Sequence, residues 1–195
     1  YEVVLVDAMI HDDYERRVLE ACDGALVFAS SCILGYQVAH GAEMARKVRQ
    51  RFPDLPILWG GWFPSVTPEM YLKGGIADAV GIGQGELTFR DVVNALASGE
   101  DLASVPGLMV ERDGELVRTP HRAVVGFDQL EPTPWDLLDY EKYAELHHKA
   151  VAGQPLQIDG RNVTFSSTTR SEFEVYLDQY EFHLGYFQYG LGNAD

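Results

Sequence analysis

The stretch that decides how this sequence is interpreted is PILWGGWFPSVTPEM, residues 56–70. An apolar run typical of a buried strand ends in two glycines, Gly60 and Gly61, and a tryptophan, a phenylalanine and a proline follow at once. Glycine lets other atoms approach the backbone and permits sharp turns, because it has no Cβ. The pair therefore indicates either a turn or close contact with a ligand at the end of this strand.

Short β-branched runs alternate with helical patterns on both sides of this stretch. Strands that alternate with helices at this spacing form a parallel sheet covered by helices on both faces. The sequence therefore predicts an α/β fold, a flavodoxin-like (Rossmann-like) doubly wound parallel sheet, in which ligands bind at the carboxyl ends of the strands. The predicted strands are 2–8, 24–33, 55–61 and 77–83, and the predicted helices are 11–23, 36–52, 67–75 and 86–99.

The pattern changes after Gly99, which is expected to end the last of these helices. Asp113–Gly114 stands between two strand-like runs, and this dipeptide is a strong signal for a two-residue hairpin loop. The proline- and acid-rich stretch that follows suits a linker. We therefore divide the chain into an α/β domain (1–106), an appended β-hairpin (107–126), a linker (127–143) and a tail without a core pattern (144–195).

Two other strand ends, ASSCILG (29–35) and GIGQGE (81–86), are expected at the same edge of the sheet as the glycine pair. GIGQGE is weak as a dinucleotide motif, since it is GxGxG and closes the last strand instead of opening the first. Glu86 would lie in the first turn of the next helix, where its carboxylate repels a phosphate. Three such ends on one edge indicate a large, flat ligand.

Composition excludes several classes of function. The formal charge is −15, from 15 basic and 30 acidic residues, so nucleic acid and anionic lipid are poor partners. No apolar run approaches the roughly 20 residues of a membrane helix. Two cysteines, Cys22 and Cys32, cannot build a disulfide framework or a three-cysteine iron–sulfur site, and a reducing cytoplasm is the expected location.

Side chains of catalytic type show no catalytic or metal-binding spacing. Asp7, Asp12 and Asp13 resemble the acidic cluster of phospho-receiver domains, but the expected lysine and second aspartate are missing, so capping and surface roles are favoured. The histidines follow no metal-ligand spacing. Neither Ser30 nor Ser31 lies in a nucleophile-elbow pattern. We therefore predict no catalytic residue and no metal ligand.

Taken together, four segments resemble the cobalamin-binding domain that precedes the barrel of cobalamin-dependent radical S-adenosylmethionine (radical SAM) enzymes. The third, which contains a GxGE turn, an amphipathic helix and a lead into a hairpin, is the most specific. The similarity covers about residues 1 to 143. The segments are YEVVLVDA, PILWGGWFPSVTPE, ADAVGIGQGELTFRDVVNALASGEDLASVPGLMV and LEPTPWDLLDYEKY.

The resemblance implies that a cobalamin lies against the backbone of the glycine pair, with its corrin ring on the strand ends. Backbone approach is implied at four glycines, contact with the nucleotide tail at two serines, and packing on the corrin at three apolar residues. Two further residues of the last loop complete the set. These residues are Gly60, Gly61, Gly83 and Gly85; Ser30 and Ser31; Leu34, Trp62 and Phe63; and Gln84 and Glu86.

Two of the departures from the family pattern concern the two ends of the chain. Relatives begin with another strand and helix before the piece that matches YEVVLVDA, and the flavodoxin-like order places that strand between it and the next one. Relatives also carry CxxxCxxC for a [4Fe–4S] cluster that cleaves S-adenosylmethionine, whereas this chain has no cysteine after Cys32. The chain is therefore expected to be a fragment, with cluster and S-adenosylmethionine present only in the intact parent and no radical chemistry of its own.

Two alternatives stay open at this point. The chain could be a stand-alone tetrapyrrole- or cobalamin-binding module, or a flavodoxin-like interaction domain whose glycines are only turns. The substitution Gly61→Val is expected to separate cobalamin binding from the interaction domain, since it would abolish ligand binding in the first case and cost only stability in the second.

Overall fold

A computed structural model describes residues 1–132, 137–139, 141–143, 145, 156–158 and 161–163. The chain divides into two compact units, Tyr1–Arg17 with Thr133–Asp195, and Val18–Pro132. The helices are α1 (Tyr14–Ala21), α2 (Tyr36–Arg51), α3 (Trp62–Val66), α4 (Pro68–Lys73) and α5 (Glu86–Ser98). The strands are β1 (Phe28–Ser31), β2 (Ile57–Gly60), β3 (Ala79–Gly81), β4 (Leu108–Arg112), β5 (Glu115–Arg118), β6 (Leu156–Ile158) and β7 (Arg161–Val163).

The second unit contains a five-stranded sheet in the order β1-β2-β3-β4-β5. The first three strands are parallel, with Leu58 of β2 beside Ala29 of β1 and Ala79 of β3. The last two strands are antiparallel, since β4 pairs with β3 and β5 pairs with β4. The predicted α/β class is confirmed, and the sheet is mixed because the hairpin continues it.

The hairpin forms at the predicted dipeptide. Arg112 pairs with Glu115 across a two-residue loop, in which Asp113 has φ 53° and Gly114 has φ 82°. Positive φ at both central residues matches the right-handed twist of the flanking strands. The predicted two-residue hairpin loop is therefore confirmed.

One face of the sheet packs against α5. The core there contains Leu58, Ala79, Val92, Ala95, Val105, Leu108 and Val110. The i, i+3, i+4, i+7 spacing of Phe89, Val92, Val93 and Leu96 predicts the apolar face of α5, and Val92 is buried there, whereas Phe89 is 38% exposed. Thr88 is buried instead, because its hydroxyl accepts a hydrogen bond from Arg122 at 2.9 Å and it lies against Gly107.

The other face of the sheet packs around Trp59, which is fully buried. Its indole N–H donates to the carbonyl of Ile76 at 2.8 Å, and its ring lies 4.6 Å from that of Tyr71. A Cβ on Gly41 of α2 would lie 2.5 Å from the Trp59 ring. The glycine in α2 therefore lets this helix approach the centre of the sheet.

The amino end of the sheet is closed by side-chain hydrogen bonds. The Asp78 carboxylate accepts from the Ile57 N–H at 2.7 Å and from Arg49 at 2.6 Å. Arg49 also donates to the carbonyls of Pro53 and Leu55. The backbone groups that lead into β2 therefore have partners within the protein.

The prediction of a strand at residues 2–8 is wrong for this structure, in which these residues form no strand. The apolar side chains of Val3, Val4 and Leu5 are more than half exposed. A strand requires a neighbouring backbone to pair with. In the order β1-β2-β3, no strand in the described part of the chain lies on the other side of β1, where the flavodoxin-like order places the intervening strand.

Other boundaries also differ from the predictions. The strand expected at 24–33 is reduced to β1, and the residues that follow the glycine pair form α3, a helical turn that the sequence pattern missed. The proline of α4 lies in its first turn, as expected. Gly99 ends α5 with φ 72°, which confirms the predicted helix stop. Residues 133–136 and 140 of the linker and most of the predicted tail lie outside the described residues. In the described part of the tail, β6 and β7 pair antiparallel.

In the first unit, Asp7 organises the loop before α1. Its carboxylate accepts hydrogen bonds from the Met9 N–H at 2.8 Å and from the Tyr143 hydroxyl. Asp13 pairs with Arg16 and Arg17, and these hydrogen bonds lower its pKa to about 2. The aspartates therefore take the local and surface roles that the sequence favoured.

Candidate functional site

The candidate site is the carboxyl edge of the parallel strands, where β1, β2 and β3 end. The strand register places Ser31 beside Gly60 and Ser30 beside Trp59. Because side chains alternate between the two faces of a strand, Ser31 and Gly60 share one face and Ser30 lies on the other. Ser31 is exposed, whereas Ser30 is half-buried and its hydroxyl lies 3.3 Å from the Cβ position of Gly41 in α2.

Gly61 is a glycine for reasons internal to the protein. Its φ is 98°, a conformation that residues with a side chain rarely adopt. A Cβ at this position would lie 2.2 Å from the carbonyl oxygen of Cys32 and 3.0 Å from the Ser31 hydroxyl. The substitution Gly61→Val would therefore disturb the fold with or without a ligand, and it cannot separate the functional alternatives.

Gly60 differs from its neighbour. Its φ lies outside the left-handed region, and a Cβ built on it would meet no heavy atom of the described part of the chain within 4 Å. The backbone conformation and the surrounding protein both permit a side chain at this position. The absence of one leaves open space directly over the end of β2, on the face that also carries Ser31.

The loop after β3 presents two more open glycines. Among the residues that the structure describes, a Cβ on Gly83 or on Gly85 would meet no heavy atom within 4 Å. Gly83 has φ 79°, so its conformation requires glycine, but Gly85 has φ −91° and ψ −24°, which any residue adopts. Gly85 precedes α5, and the exposed Glu86 is the first residue of that helix.

Ser65 joins the two glycine loops, and sequence reasoning missed it. Its hydroxyl donates to the Gly61 carbonyl at 2.7 Å and accepts from the Gly83 N–H at 3.0 Å. One small side chain in α3 thus holds the end of β2 against the loop after β3. Only the position of Ser65 four residues after Gly61 could have indicated this contact, since such spacing brings side chains to the preceding turn.

The side-chain amide of Gln84 forms its hydrogen bonds within the protein. Its side-chain oxygen accepts from the Val125 N–H at 2.8 Å, and its amide nitrogen donates to the Val125 carbonyl at 3.2 Å. Both hydrogen-bonding ends of this side chain are used by one backbone unit. The residue therefore lies among the open glycines with its polar group turned to a neighbouring segment.

The apolar residues predicted to pack on a ligand have different exposures. Trp62 is 61% exposed, and Val66, four residues later on α3, is also exposed. Phe63 and Leu34 are half-buried. The structure therefore places one large apolar side chain, Trp62, in solvent directly after the glycine pair.

The polar groups nearest this edge do not form a catalytic set. Cys32 and Tyr71 are buried, with the thiol 3.6 Å from the hydroxyl, and burial raises the pKa of both groups. Within the described residues, no group of three or more histidine, cysteine or acidic side chains could hold a metal ion. The arrangement is suited to holding a ligand against the backbone.

Comparison with known proteins relates this chain to B12-binding domains. Residues 1–93 match the family model described as the B12 binding domain. The chain is 31% identical over 149 residues to an uncharacterized methyltransferase of Pyrococcus horikoshii, a match that covers 73% of this chain and 32% of the relative. It is 27% identical over 151 residues to the anaerobic magnesium-protoporphyrin IX monomethyl ester cyclase of Synechocystis sp., covering 74% of this chain and 30% of that relative. The chain thus spans about a third of the length of these curated relatives.

Among solved structures, the fold of this chain is similar to that of the cobalamin-dependent S-adenosylmethionine radical enzyme OxsB with aqua-cobalamin bound. The TM-score is 0.57 at 18% sequence identity, and the match covers 90% of this chain and 26% of the OxsB chain. This likeness shows the fold. No helix in the described part of the chain is long and apolar enough to cross a membrane. The match of residues 1–93 to the B12 binding domain model confirms the resemblance to a cobalamin-binding domain that was found in the sequence.

Proposed function

We propose that this chain binds a cobalamin at the carboxyl edge of β1, β2 and β3, as the cofactor-carrying domain of a radical SAM enzyme. The observation that carries the proposal is the open space over Gly60, a glycine that neither its backbone conformation nor a neighbouring atom requires. The B12-binding family match supports the identity of the ligand, and the glycine geometry supports its place.

The residues at this edge fit a large, flat macrocycle. Gly60, Gly83 and Gly85 leave their backbone open to close approach, which a Cβ at any of them would obstruct. Ser31 offers an exposed hydroxyl on the same face as Gly60, where it can hydrogen-bond a polar substituent. Trp62 offers apolar surface that is otherwise left in water.

When bound, cobalamin supplies a cobalt centre that carries a methyl group or takes part in radical chemistry. This chain's own residues bind and orient the cofactor, and none acts as acid, base or nucleophile in the proposal. Its two cysteines are buried, and a [4Fe–4S] cluster needs three thiolates to leave one iron for S-adenosylmethionine. The cluster and S-adenosylmethionine would therefore be bound by another part of the intact protein.

The test is equilibrium dialysis of the purified chain against hydroxocobalamin, with protoporphyrin IX as competitor. The proposal predicts saturable binding of one cobalamin per chain that the porphyrin does not displace. Displacement by porphyrin would instead support a general tetrapyrrole-binding module. Folded protein that binds neither compound would contradict the proposal and favour an interaction domain whose glycines are only turns.

A further inference from the structure

The segment of residues 119–126, here called the strap, leaves the hairpin and runs back along α5. At its start, the Thr119 N–H donates to the Leu108 carbonyl at 3.0 Å, and the Pro120 carbonyl accepts from the Gly107 N–H at 2.9 Å. The strap therefore begins as a continuation of the β4–β5 pairing.

Arg122 anchors the middle of the strap. Its side chain is only 16% exposed, and it donates to the Thr88 hydroxyl at 2.9 Å and to the Asp91 carboxylate at 2.5 Å. Burial alone would raise the pKa of Asp91, but hydrogen bonds from Arg90 and Arg122 outweigh it and lower the pKa. The anchor is thus a charged pair at neutral pH.

Gln84 anchors the end of the strap through its two hydrogen bonds to the Val125 backbone. Gln84 lies between Gly83 and Gly85, the two open glycines of the loop after β3. The end of the strap is therefore held directly beside the candidate site.

Between the two anchors lie Ala123 and Val124, which are both exposed. Val124 is 74% exposed, although Arg122, two residues before it, and Val125, directly after it, are held by side chains of α5 and of the loop after β3. A rigidly held segment thus presents an apolar side chain to solvent next to a site that fits an apolar macrocycle. Ordering a segment in advance lowers the entropic cost of binding.

We propose that the strap is a wall of the cofactor site, with Val124 in contact with the bound macrocycle and Gln84 as the positioning residue that holds the strap there. The inference rests on the proposed cobalamin function. It gives Gln84 a role different from the direct cofactor contact that the family resemblance implied.

The test is the hydroxocobalamin affinity of the full chain with Val124→Asp, measured by equilibrium dialysis beside Leu26→Asp. Leu26 is also an exposed apolar residue of the second unit, but it precedes β1, at the amino end of the parallel strands. We expect Val124→Asp to weaken binding about tenfold, because a carboxylate would be desolvated where apolar contact was made. The control should bind like the wild type.

A double-mutant cycle tests the role of Gln84. Gln84→Ala should weaken binding and raise hydrogen exchange of the Val125 amide, and Gln84→Glu, which still accepts from that amide, should restore part of both. In the Gln84→Ala background, Val124→Asp should cost little further affinity, since the strap is already displaced.

Three results would overturn the inference while leaving the proposed function intact. They are wild-type affinity in folded Val124→Asp, wild-type affinity in folded Gln84→Ala, or additive losses in the double variant. Thermal unfolding of each variant verifies that it is folded. A wild-type chain that binds no cobalamin would contradict the proposed function and, with it, the inference.

Discussion

The amino and carboxyl ends of the parallel strands differ in how far the protein's own groups cover them. At the amino end, Arg49 and Asp78 supply partners for the backbone around β2, so the chain closes on itself. At the carboxyl end, Gly60, Gly83 and Gly85 leave space that no atom of the described residues fills, and Ser31 and Trp62 are exposed beside it. The protein's own groups thus stabilise the amino end of the strands, and the carboxyl end is where we propose that a ligand binds.

The contrast is sharpest between two adjacent residues. Gly61 has a positive φ and lies against the Cys32 carbonyl, so the fold itself requires a glycine there. Gly60 is under neither constraint. One glycine of the pair is therefore explained by the protein's own structure, and the other is left to be explained by a ligand.

The largest expected effect is on folding, at Gly61. Gly61→Ala should lower the free energy of unfolding by about 3 kcal/mol or more, because the new Cβ collides with backbone in an unfavourable conformation. Gly60→Ala should change it by no more than about 1 kcal/mol. Urea unfolding of both variants measures this, and equal losses would abolish the distinction between the two glycines.

An intermediate effect is expected at the amino end. Asp78→Ala should cost about 1–3 kcal/mol of unfolding free energy, because the Ile57 N–H and Arg49 lose their acceptor. Cobalamin affinity of the folded variant should not change. Asp78→Asn, which keeps an acceptor for the Ile57 N–H, should recover part of the stability. A loss of affinity in folded Asp78→Ala would show that the two ends are not independent.

The smallest effect concerns pH and the strap. Burial would raise the pKa of Asp91, but hydrogen bonds from two arginines outweigh it and lower this pKa in the folded protein. The stability that Asp91 contributes to the fold is therefore fully present above the ordinary pKa of 3.8. It is lost as the pH falls through the lowered value. We expect about 1 kcal/mol or less, since Asp91 is partly exposed. The free energy of unfolding, measured with urea, should fall less steeply between pH 6 and about pH 3 in Asp91→Asn than in the wild type. Identical slopes would contradict this assignment.

Features that depend on neighbouring residues could be predicted from the sequence. The hairpin at Asp113–Gly114 and the end of α5 at Gly99 follow from local conformational preferences, and both were placed correctly. The family resemblance directed attention to the carboxyl edge of the parallel strands, and a ligand site at that edge stays a prediction.

Features that depend on distant residues could not be predicted. The difference between Gly60 and Gly61 arises from the carbonyl of Cys32, and the burial of Thr88 in place of Phe89 arises from Arg122. The hydrogen bond between the Gln84 side chain and the Val125 backbone could not be predicted either, since the two residues lie 41 positions apart in the sequence. The strand expected at 2–8 needed a neighbouring backbone, and no periodicity in the sequence reveals whether one is present.

The central claim is that Gly60 is a glycine because a cobalamin lies against it. The most direct measurement is the hydroxocobalamin affinity of Gly60→Ala and Gly60→Val, with Ala97→Val, at an exposed position late in α5, as a control for added methyl groups. The account predicts that affinity falls from glycine to alanine to valine while each variant stays folded, and that the control binds like the wild type. Folded Gly60→Val with wild-type affinity would contradict it.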